Sequence, residues 1–237
     1  MKRIYNLDKF RGFTIISMVL FHLCYDINLY IDLGYYNNIL INKIWQLSIA
    51  VSFFLVSGIS SNFLSSCDNI VRGIKTSILG FLVTTITYIF VKDQLIIFGV
   101  LNCLGISMII TGIIKKYINL DKKFWWVFII LFILTYSVPH KRILSLTLPS
   151  SIYEMNLFFL GFPSNSFYST DYFPIIPWVF IFISGYLMGK ILIQKNFYNL
   201  YGKDNLLAKI GQHSIQIYLF HQPILYILVY LFFKLKK

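Results

Sequence analysis

Charged residues, and acidic ones above all, are scarce in this chain of 237 residues. Only 13% of the residues are charged, whereas a soluble domain typically has about 25%. Hydrophobic residues make up 57% of the chain, and the mean hydropathy is +0.71. A chain with so few charged residues cannot build the polar surface of a soluble protein of this length. The composition therefore predicts a membrane protein.

Cysteines are also few, and their arrangement excludes two classes of site. The chain has three cysteines, Cys24, Cys67 and Cys103, and no pair of them has the CxxC spacing. An odd number without that spacing argues against a disulfide framework and against a zinc site. We therefore expect no metal ion in this protein.

The net charge of +12 results from 21 lysines and arginines against 9 acidic residues. These cations follow the loops and do not cluster on one face, so the sequence predicts no nucleic-acid partner. The loops on one predicted side carry about twice as many cations as the loops on the other side. This bias predicts a multi-pass protein of the plasma membrane whose N-terminus is cytoplasmic.

Apolar segments of membrane-spanning length recur along the whole chain. Most have the roughly 17 to 25 residues that a spanning helix needs, and two are about one or two residues shorter. They predict an all-α fold, a polytopic transmembrane helix bundle of about seven spans that forms a single domain over residues 1–237. The segments are approximately 10–30, 40–64, 76–91, 95–114, 124–138, 173–193 and 212–233.

The longest connection between predicted spans covers residues 139–172, on the predicted outer side. Its prolines predict turns, and residues 152–161 are compatible with a short helix at the membrane interface. A loop of this length in a small membrane protein usually has a function or is disordered. Its many aromatic residues favour an ordered surface near the lipid headgroups, or a simple aromatic belt.

The first predicted span carries polar residues where a membrane helix should be apolar. Arg11 lies near the surface, and His22 lies roughly 16 Å further along the helix axis. His22 and Asp26 are four residues apart, so they share a face and the carboxylate could orient the imidazole. Ionisable residues inside a membrane span are candidates for a functional site. The structural alternative is that Arg11 anchors the helix at the headgroups and that His22 packs against a neighbouring helix.

Later spans contribute further polar residues. The last span places His221 roughly 12 Å deeper than His213, which is near the depth of His22. The sixth span begins with two prolines that should distort its first turns. We regard six residues as candidates to bind an acceptor or to support the site: Asn102, Asp171, Tyr172, His213, His221 and Gln222.

Several of these motifs together resemble a known family. They are similar to the catalytic domain of heparan-alpha-glucosaminide N-acetyltransferase and to its short bacterial relatives, over most of the chain. The ten-residue gap between Arg11 and His22 also matches the wider superfamily of membrane acyltransferases that modify surface polysaccharides. The motifs are Leu7-Asp-x-x-Arg-Gly, Phe98-Gly-Val-Leu, Asp171-Tyr-Phe-Pro-x-x-Pro-Trp and His213-Ser-x-x-x-Tyr-Leu-x-His-Gln-Pro.

This resemblance implies an acyltransferase-like enzyme and assigns roles to Arg11 and His22, to which their neighbours Lys9 and Asp26 are added by position and spacing. Acetyl-CoA or another acyl-CoA would be the donor, with its phosphates held by Arg11 and by Lys9 beside it. His22 would be the catalytic base and Asp26 its orienting partner. The acyl group would pass from the cytosolic side to an amine or hydroxyl acceptor on the outer side, an amino sugar or a cell-surface glycan. Direct transfer and an acyl-imidazole intermediate both remain open.

The expected partners are membrane lipid, acyl-CoA and the sugar or glycan acceptor, and the sequence also allows a homodimer. Two other classes of function remain open. A transporter or a lipid- or glycan-handling protein without acyl transfer could use Arg11, Asp26 and the distorted sixth span as a substrate path. A haem protein could use His22 and His221 as opposed ligands.

Overall fold

The structure is a computed structural model that describes residues 3–195 and 202–235. Of the described residues, 73% are helical, which confirms the all-α, polytopic fold class. In chain order the helices are α1 (Tyr5–Asn28), α2 (Ile39–Ser60), α3 (Ser66–Phe90), α4 (Val100–Tyr117), α5 (Trp125–Thr135), α6 (Ser150–Glu154), α7 (Ile175–Gln194), α8 (Leu206–Gln212) and α9 (Ser214–Leu235).

Within the described residues, seven helical segments are long and apolar enough to cross a membrane. Five of them are α1, α3, α4, α7 and α9. The other two are α2 extended to Phe63 and α5 extended at both ends by 3₁₀ turns, over Lys122–His140. The number of spans predicted from the sequence is therefore confirmed.

The chain divides into two compact units. The first unit comprises Met1–Phe53 and Phe197–Lys237, and contains α1, most of α2, α8 and α9. Trp45 of α2 donates its indole N–H to the hydroxyl of Ser17 on α1, over 2.9 Å. The buried core of this unit consists of Ile15, Met18, Phe21, Tyr36 and Ile49.

Two glycines let α1 and α8 approach each other through their backbones. A Cβ on Gly12 would lie 2.1 Å from the carbonyl oxygen of Leu207, and a Cβ on Gly211 would lie 1.7 Å from that of Asp8. No side chain larger than hydrogen fits at either position. The glycine that follows Arg11 is thus explained by helix packing, which fixes the first turns of α1.

The second unit, Phe54–Asn196, uses the same device between other helices. Gly73 and Gly80 of α3 pack against Gly105 and Asn102 of α4, at positions where a Cβ would clash. The last turns of α2 pack on α7 in the same way, at Gly58. Small residues at these contacts are typical of membrane helices, which gain van der Waals contact when their backbones approach closely.

The third span begins about ten residues earlier than the sequence pattern predicted. The Ser65 side chain accepts a hydrogen bond from the backbone N–H of Asp68, and the Asp68 carboxylate accepts one from the backbone of Ser65. This capping box satisfies the first N–H groups of α3 and starts the helix at Ser66. Arg72 and Lys75 therefore lie within a helix, although hydropathy alone had placed them in a loop.

The connection over residues 139–172 is ordered, but its helix is not the predicted one. Instead of residues 152–161, only Ser150–Glu154 is helical, because Asn156 adopts a left-handed backbone with φ of 48°. A short hairpin precedes α6, in which β1 (Arg142–Ile143) pairs antiparallel with β2 (Leu146–Thr147). Tyr153 is 2% exposed and donates its hydroxyl to the Val138 carbonyl, and burial raises the pKa of this phenol.

We expect Gly211→Ala to destabilise the purified protein by about 1–3 kcal/mol, because α8 must move away from α1 to admit the methyl group. Gly34→Ala is the matched control, since a Cβ at Gly34 meets nothing within 4 Å. Thermal unfolding of both variants in detergent measures the difference. Equal midpoints for the two variants would contradict the backbone contact between α1 and α8.

Candidate active site

Two histidines from opposite ends of the sequence lie together in the first unit. His22 is on α1 and His221 is on α9, and their ring centroids are 4.8 Å apart with an angle of 60° between the ring planes. Both side chains are partly exposed. The similar depths predicted from helix rise thus become a direct contact between the two rings.

The carboxylate of Asp26 has a different partner from the expected one. Asp26 is 1% exposed, and its Oδ1 accepts a hydrogen bond from the Nε2 of Gln222 over 3.1 Å. Among the described residues, no hydrogen bond joins Asp26 to His22. The expectation that Asp26 orients His22 directly is therefore not supported. Residue spacing within α1 could not reveal this partner, because Gln222 belongs to α9.

The backbone of α9 orients His221. Its Nδ1 lies 2.7 Å from the carbonyl oxygen of Tyr218. Because a carbonyl can only accept, this contact places a proton on Nδ1 and leaves Nε2 with a lone pair in the neutral ring. His221 thus has the tautomer of a proton acceptor at Nε2 without help from a carboxylate.

Three buried polar atoms of this cluster have no hydrogen-bond partner among the described residues. They are the Nε2 of His221, the Oδ2 of Asp26 and the Oε1 of Gln222. Leaving such a group unsatisfied typically costs about 1–3 kcal/mol. All three are acceptors when the imidazole is neutral and the carboxyl is ionised. The cluster is therefore suited to a ligand that carries several N–H or O–H donors.

Arg11 lies at the other end of α1 from the histidines, in a small network of charges. Its Nη1 donates to the Oδ1 of Asp8 over 2.8 Å, and the Nε of Arg3 donates to the Oδ2 of Asp8 over the same distance. Asp8 is buried. Because its one carboxylate is shared by two guanidinium groups, these three side chains together keep a positive charge. Lys9 is partly exposed in the same turn.

Sequence analysis missed Asp8 as a member of this site. The available signal was its position three residues before Arg11, which places both side chains on one face of a helix. Asp8 positions the guanidinium of Arg11, and the backbone contact of Gly12 with α8 holds that turn. Arg11 is therefore a pre-oriented cation.

Three predicted site residues belong to the second unit, where each of them makes a local contact within that unit. The carboxylate of Asp171 lies against Gly99, immediately before α4, where an acidic group favours a helix N-terminus. Tyr172 donates its hydroxyl to the Phe158 carbonyl, and burial raises the pKa of its phenol. Asn102 is buried, as predicted, and its Nδ2 lies 3.5 Å from the carbonyl oxygen of Ser77.

His213 lies in the first unit but differs from the other two histidines of α1 and α9. It ends α8, and its side chain is exposed. His213 and His221 are eight positions apart, which corresponds to roughly 12 Å along a helix. This separation and its exposure distinguish His213 from the pair of His22 and His221.

We expect Gln222→Met to destabilise the protein by about 1–3 kcal/mol, because the buried Asp26 carboxyl loses its donor. Asp26→Leu combined with Gln222→Met removes both polar groups, so the loss should be smaller than the sum of the two single losses. Unfolding of the four proteins of this double-mutant cycle in detergent gives the coupling. Strict additivity would mean that the two side chains do not interact.

Comparison with known proteins identifies the family of this chain. The family of heparan-alpha-glucosaminide N-acetyltransferase catalytic domains matches residues 3–223. No curated protein and no solved structure matches the chain. The matched region includes α1 with Arg11, His22 and Asp26, and α9 as far as His221 and Gln222. The chain therefore belongs to the heparan-alpha-glucosaminide N-acetyltransferase catalytic family.

Proposed function

We propose that this protein is a membrane-embedded acetyltransferase that uses acetyl-CoA or a related acyl-CoA. In this proposal the donor enters from the cytoplasm and the acceptor is an amine or hydroxyl on the outer side of the plasma membrane. Membership of an N-acetyltransferase family supports the reaction type. The seven apolar helices support the membrane location.

One observation carries the assignment of the site. The rings of His22 and His221 are in contact, and beside them the side chains of Asp26 and Gln222 bind each other. All four side chains lie on α1 or α9, which are both apolar enough to span a membrane. A cluster of this kind is costly in hydrocarbon, so a functional role is the default interpretation.

The acceptor chemistry follows from the atoms that lack partners. An amino sugar carries both an amine and hydroxyl groups, and these can donate to the Nε2 of His221, the Oδ2 of Asp26 and the Oε1 of Gln222. Such contacts would bring the acceptor nitrogen or oxygen next to the imidazole rings. The cluster would then both bind the acceptor and accept its proton.

The proposed transfer balances without a metal ion or a redox step. The acceptor amine or hydroxyl attacks the thioester carbon, its proton passes to the imidazole of His22, and the carbon–sulfur bond breaks. The imidazolium returns the proton to the thiolate, so the products are the acetylated acceptor and free CoA. In the alternative with an acyl-imidazole, His22 itself attacks the thioester first, and the acceptor then takes the acetyl group.

The charged turn at the start of α1 is the proposed binding site for the phosphates of the donor. Arg11 is held by Asp8, and the pair lies together with Arg3 and Lys9. A guanidinium can present parallel N–H groups to phosphate oxygens, and the bond from Nη1 of Arg11 to Asp8 fixes the position of that group. The roughly 16 Å between Arg11 and His22 would be bridged by the pantetheine arm.

We expect His22→Ala to lower acetyl transfer by about 10²- to 10⁴-fold while binding of acetyl-CoA is retained, because the variant loses its base but not its phosphate contacts. His140→Ala is the control, since it removes an exposed histidine that is not among the candidate site residues and should leave the rate unchanged. Release of CoA thiol in the presence of glucosamine measures the rate, and equilibrium dialysis measures donor binding.

The same assay on His221→Ala separates the roles of the two rings. A partial loss of rate is expected if His221 only orients the acceptor. If His22→Ala keeps a near wild-type rate and His221→Ala loses activity, the base is His221. If both variants remain fully active, the proposed active site is wrong.

The proposed sidedness predicts which loops face the medium. Gly34→Cys should be labelled by an impermeant maleimide in intact cells, because the loop after α1 lies outside when the N-terminus is cytoplasmic. A side chain at Gly34 meets nothing within 4 Å, so the substitution should be tolerated. Cys67 is exposed one span later and serves as the internal control, after Cys24 and Cys103 are replaced by alanine. If Cys67 is labelled in intact cells and the cysteine of Gly34→Cys is not, the orientation is the opposite of the proposed one.

A further inference from the structure

A second polar site lies in the second unit, outside the proposed active site. It is a pocket of about 260 Å³ at the last turns of α4 and α7. Three lysines and two tyrosines form most of its wall, namely Lys115, Lys116, Lys190, Tyr117 and Tyr186, and Ile118 and Asn119 complete it. The volume has room for a phosphate group together with part of the molecule that carries it.

The hydrogen bonds of the three lysines show that they differ in role. Lys115 has a structural role, whereas Lys116 and Lys190 have N–H groups that can still bind a ligand. Lys115 donates to the carbonyl oxygens of Ser61, Asn62 and Leu64, which uses all three of its N–H groups. Lys115 therefore holds together the end of α2 and the turn that follows it, and contributes to the pocket through its charge.

Lys190 and Lys116 use fewer of their donors within the described residues. Lys190 donates to the Leu120 carbonyl over 3.0 Å, and its ammonium lies 4.9 Å from the centre of the Tyr186 ring. Lys116 lies 5.0 Å from the centre of the Tyr117 ring. These ring contacts orient the ammonium groups but leave their N–H groups able to bind an anion.

The pocket has a positively charged lining. Of the described residues that line it, none is acidic. The nearby Asp121 pairs with Lys123 over 3.1 Å, and the pKa of Asp121 is lowered mainly by a hydrogen bond from the backbone N–H of Lys123. The charge of Asp121 also acts on Lys190 and offsets part of the positive charge there, but Asp121 does not line the pocket. The C-terminal ends of helices stabilise nearby cations, which explains how three ammonium groups can coexist here.

We propose that this pocket binds the phosphate group of an anionic molecule through Lys190 and Lys116, with Lys115 as a fixed positive charge behind them. The structural alternative, that the lysines only satisfy helix carbonyls, accounts for Lys115 but leaves the charge and donors of Lys116 without a role. The phosphate could belong to the headgroup of an anionic phospholipid or to a soluble phosphate compound. Both present the same chemistry to the pocket.

The experiment compares Lys116→Gln and Lys190→Gln with Lys75→Gln, which makes the same charge change at an exposed lysine of α3 outside the pocket. In the soluble arm, pyrophosphate is titrated against the protein in detergent and the rise in melting temperature is followed. In the lipid arm, native mass spectrometry measures retention of phosphatidylglycerol against phosphatidylcholine. Every variant is also made on an Arg11→Ala background, so that pyrophosphate bound at the start of α1 does not count.

Because each pocket variant loses one charged contact, its affinity for the probe should fall by about tenfold, whereas the affinity of Lys75→Gln should not change. An effect confined to phosphatidylglycerol identifies a lipid headgroup, and an effect confined to pyrophosphate identifies a soluble ligand. Lys190→Gln also removes the ammonium that donates to Leu120. If Lys190→Gln fails to fold, Lys116→Gln decides the case, because the described contact of Lys116 is with the Tyr117 ring alone. Equal binding of both probes by Lys116→Gln and Lys75→Gln would overturn the proposal.

Discussion

A carboxyl group inside a membrane-spanning helix needs a hydrogen-bond donor, and in this protein Asp26 of α1 finds one in Gln222 of α9. Leaving such a group unpaired in an apolar environment costs about 2–7 kcal/mol. The bond therefore fixes which faces of α1 and α9 meet. Because His221 precedes Gln222, the same contact brings its ring against His22. The arrangement of the proposed active site depends on this one interaction.

The second unit satisfies its polar groups mainly with backbone carbonyls. Lys115 serves three carbonyl oxygens, and Asn62 donates to the carbonyl of Tyr186. Glycines then bring the helices close enough for such contacts to form. Buried acceptors without a partner among the described residues occur in both units, for example the Oδ1 atoms of Asn69 and Asn102 in the second unit. The cluster on α1 and α9 differs because it combines such acceptors with two imidazole rings in contact.

The sequence was sufficient to predict the helical spans, because each needs only enough consecutive apolar residues and this information is local. The early start of α3 was missed because the first turns of this helix are polar and lower the local hydropathy. The capping box Ser65–Asp68 is the signal in the sequence that marks the start of the helix. The hairpin of β1 and β2 was missed because strands of two residues carry no alternating pattern. A local pattern thus predicts an element better than its boundary.

The sequence singled out candidate residues but could not predict their contacts. Arg11, His22 and Asp26 stand out because they are ionisable residues of an apolar span, and the resemblance to the family added roles for Arg11 and His22. The partners of these residues could not be predicted, because Gln222 and His221 are about 200 residues away along the chain and no spacing rule relates two helices that meet. The tautomer of His221 also depends on a carbonyl contact that only coordinates reveal.

The most direct measurement of the central claim is an electron cryomicroscopy structure in lipid nanodiscs with a thioether analogue of acetyl-CoA that cannot transfer its acetyl group. The account predicts that the acetyl carbon lies within about 4 Å of the rings of His22 and His221, as proton transfer to an attacking group requires. The phosphates should lie beside Arg11 and Lys9. An analogue whose acetyl group lies away from both histidines would contradict the proposed active site.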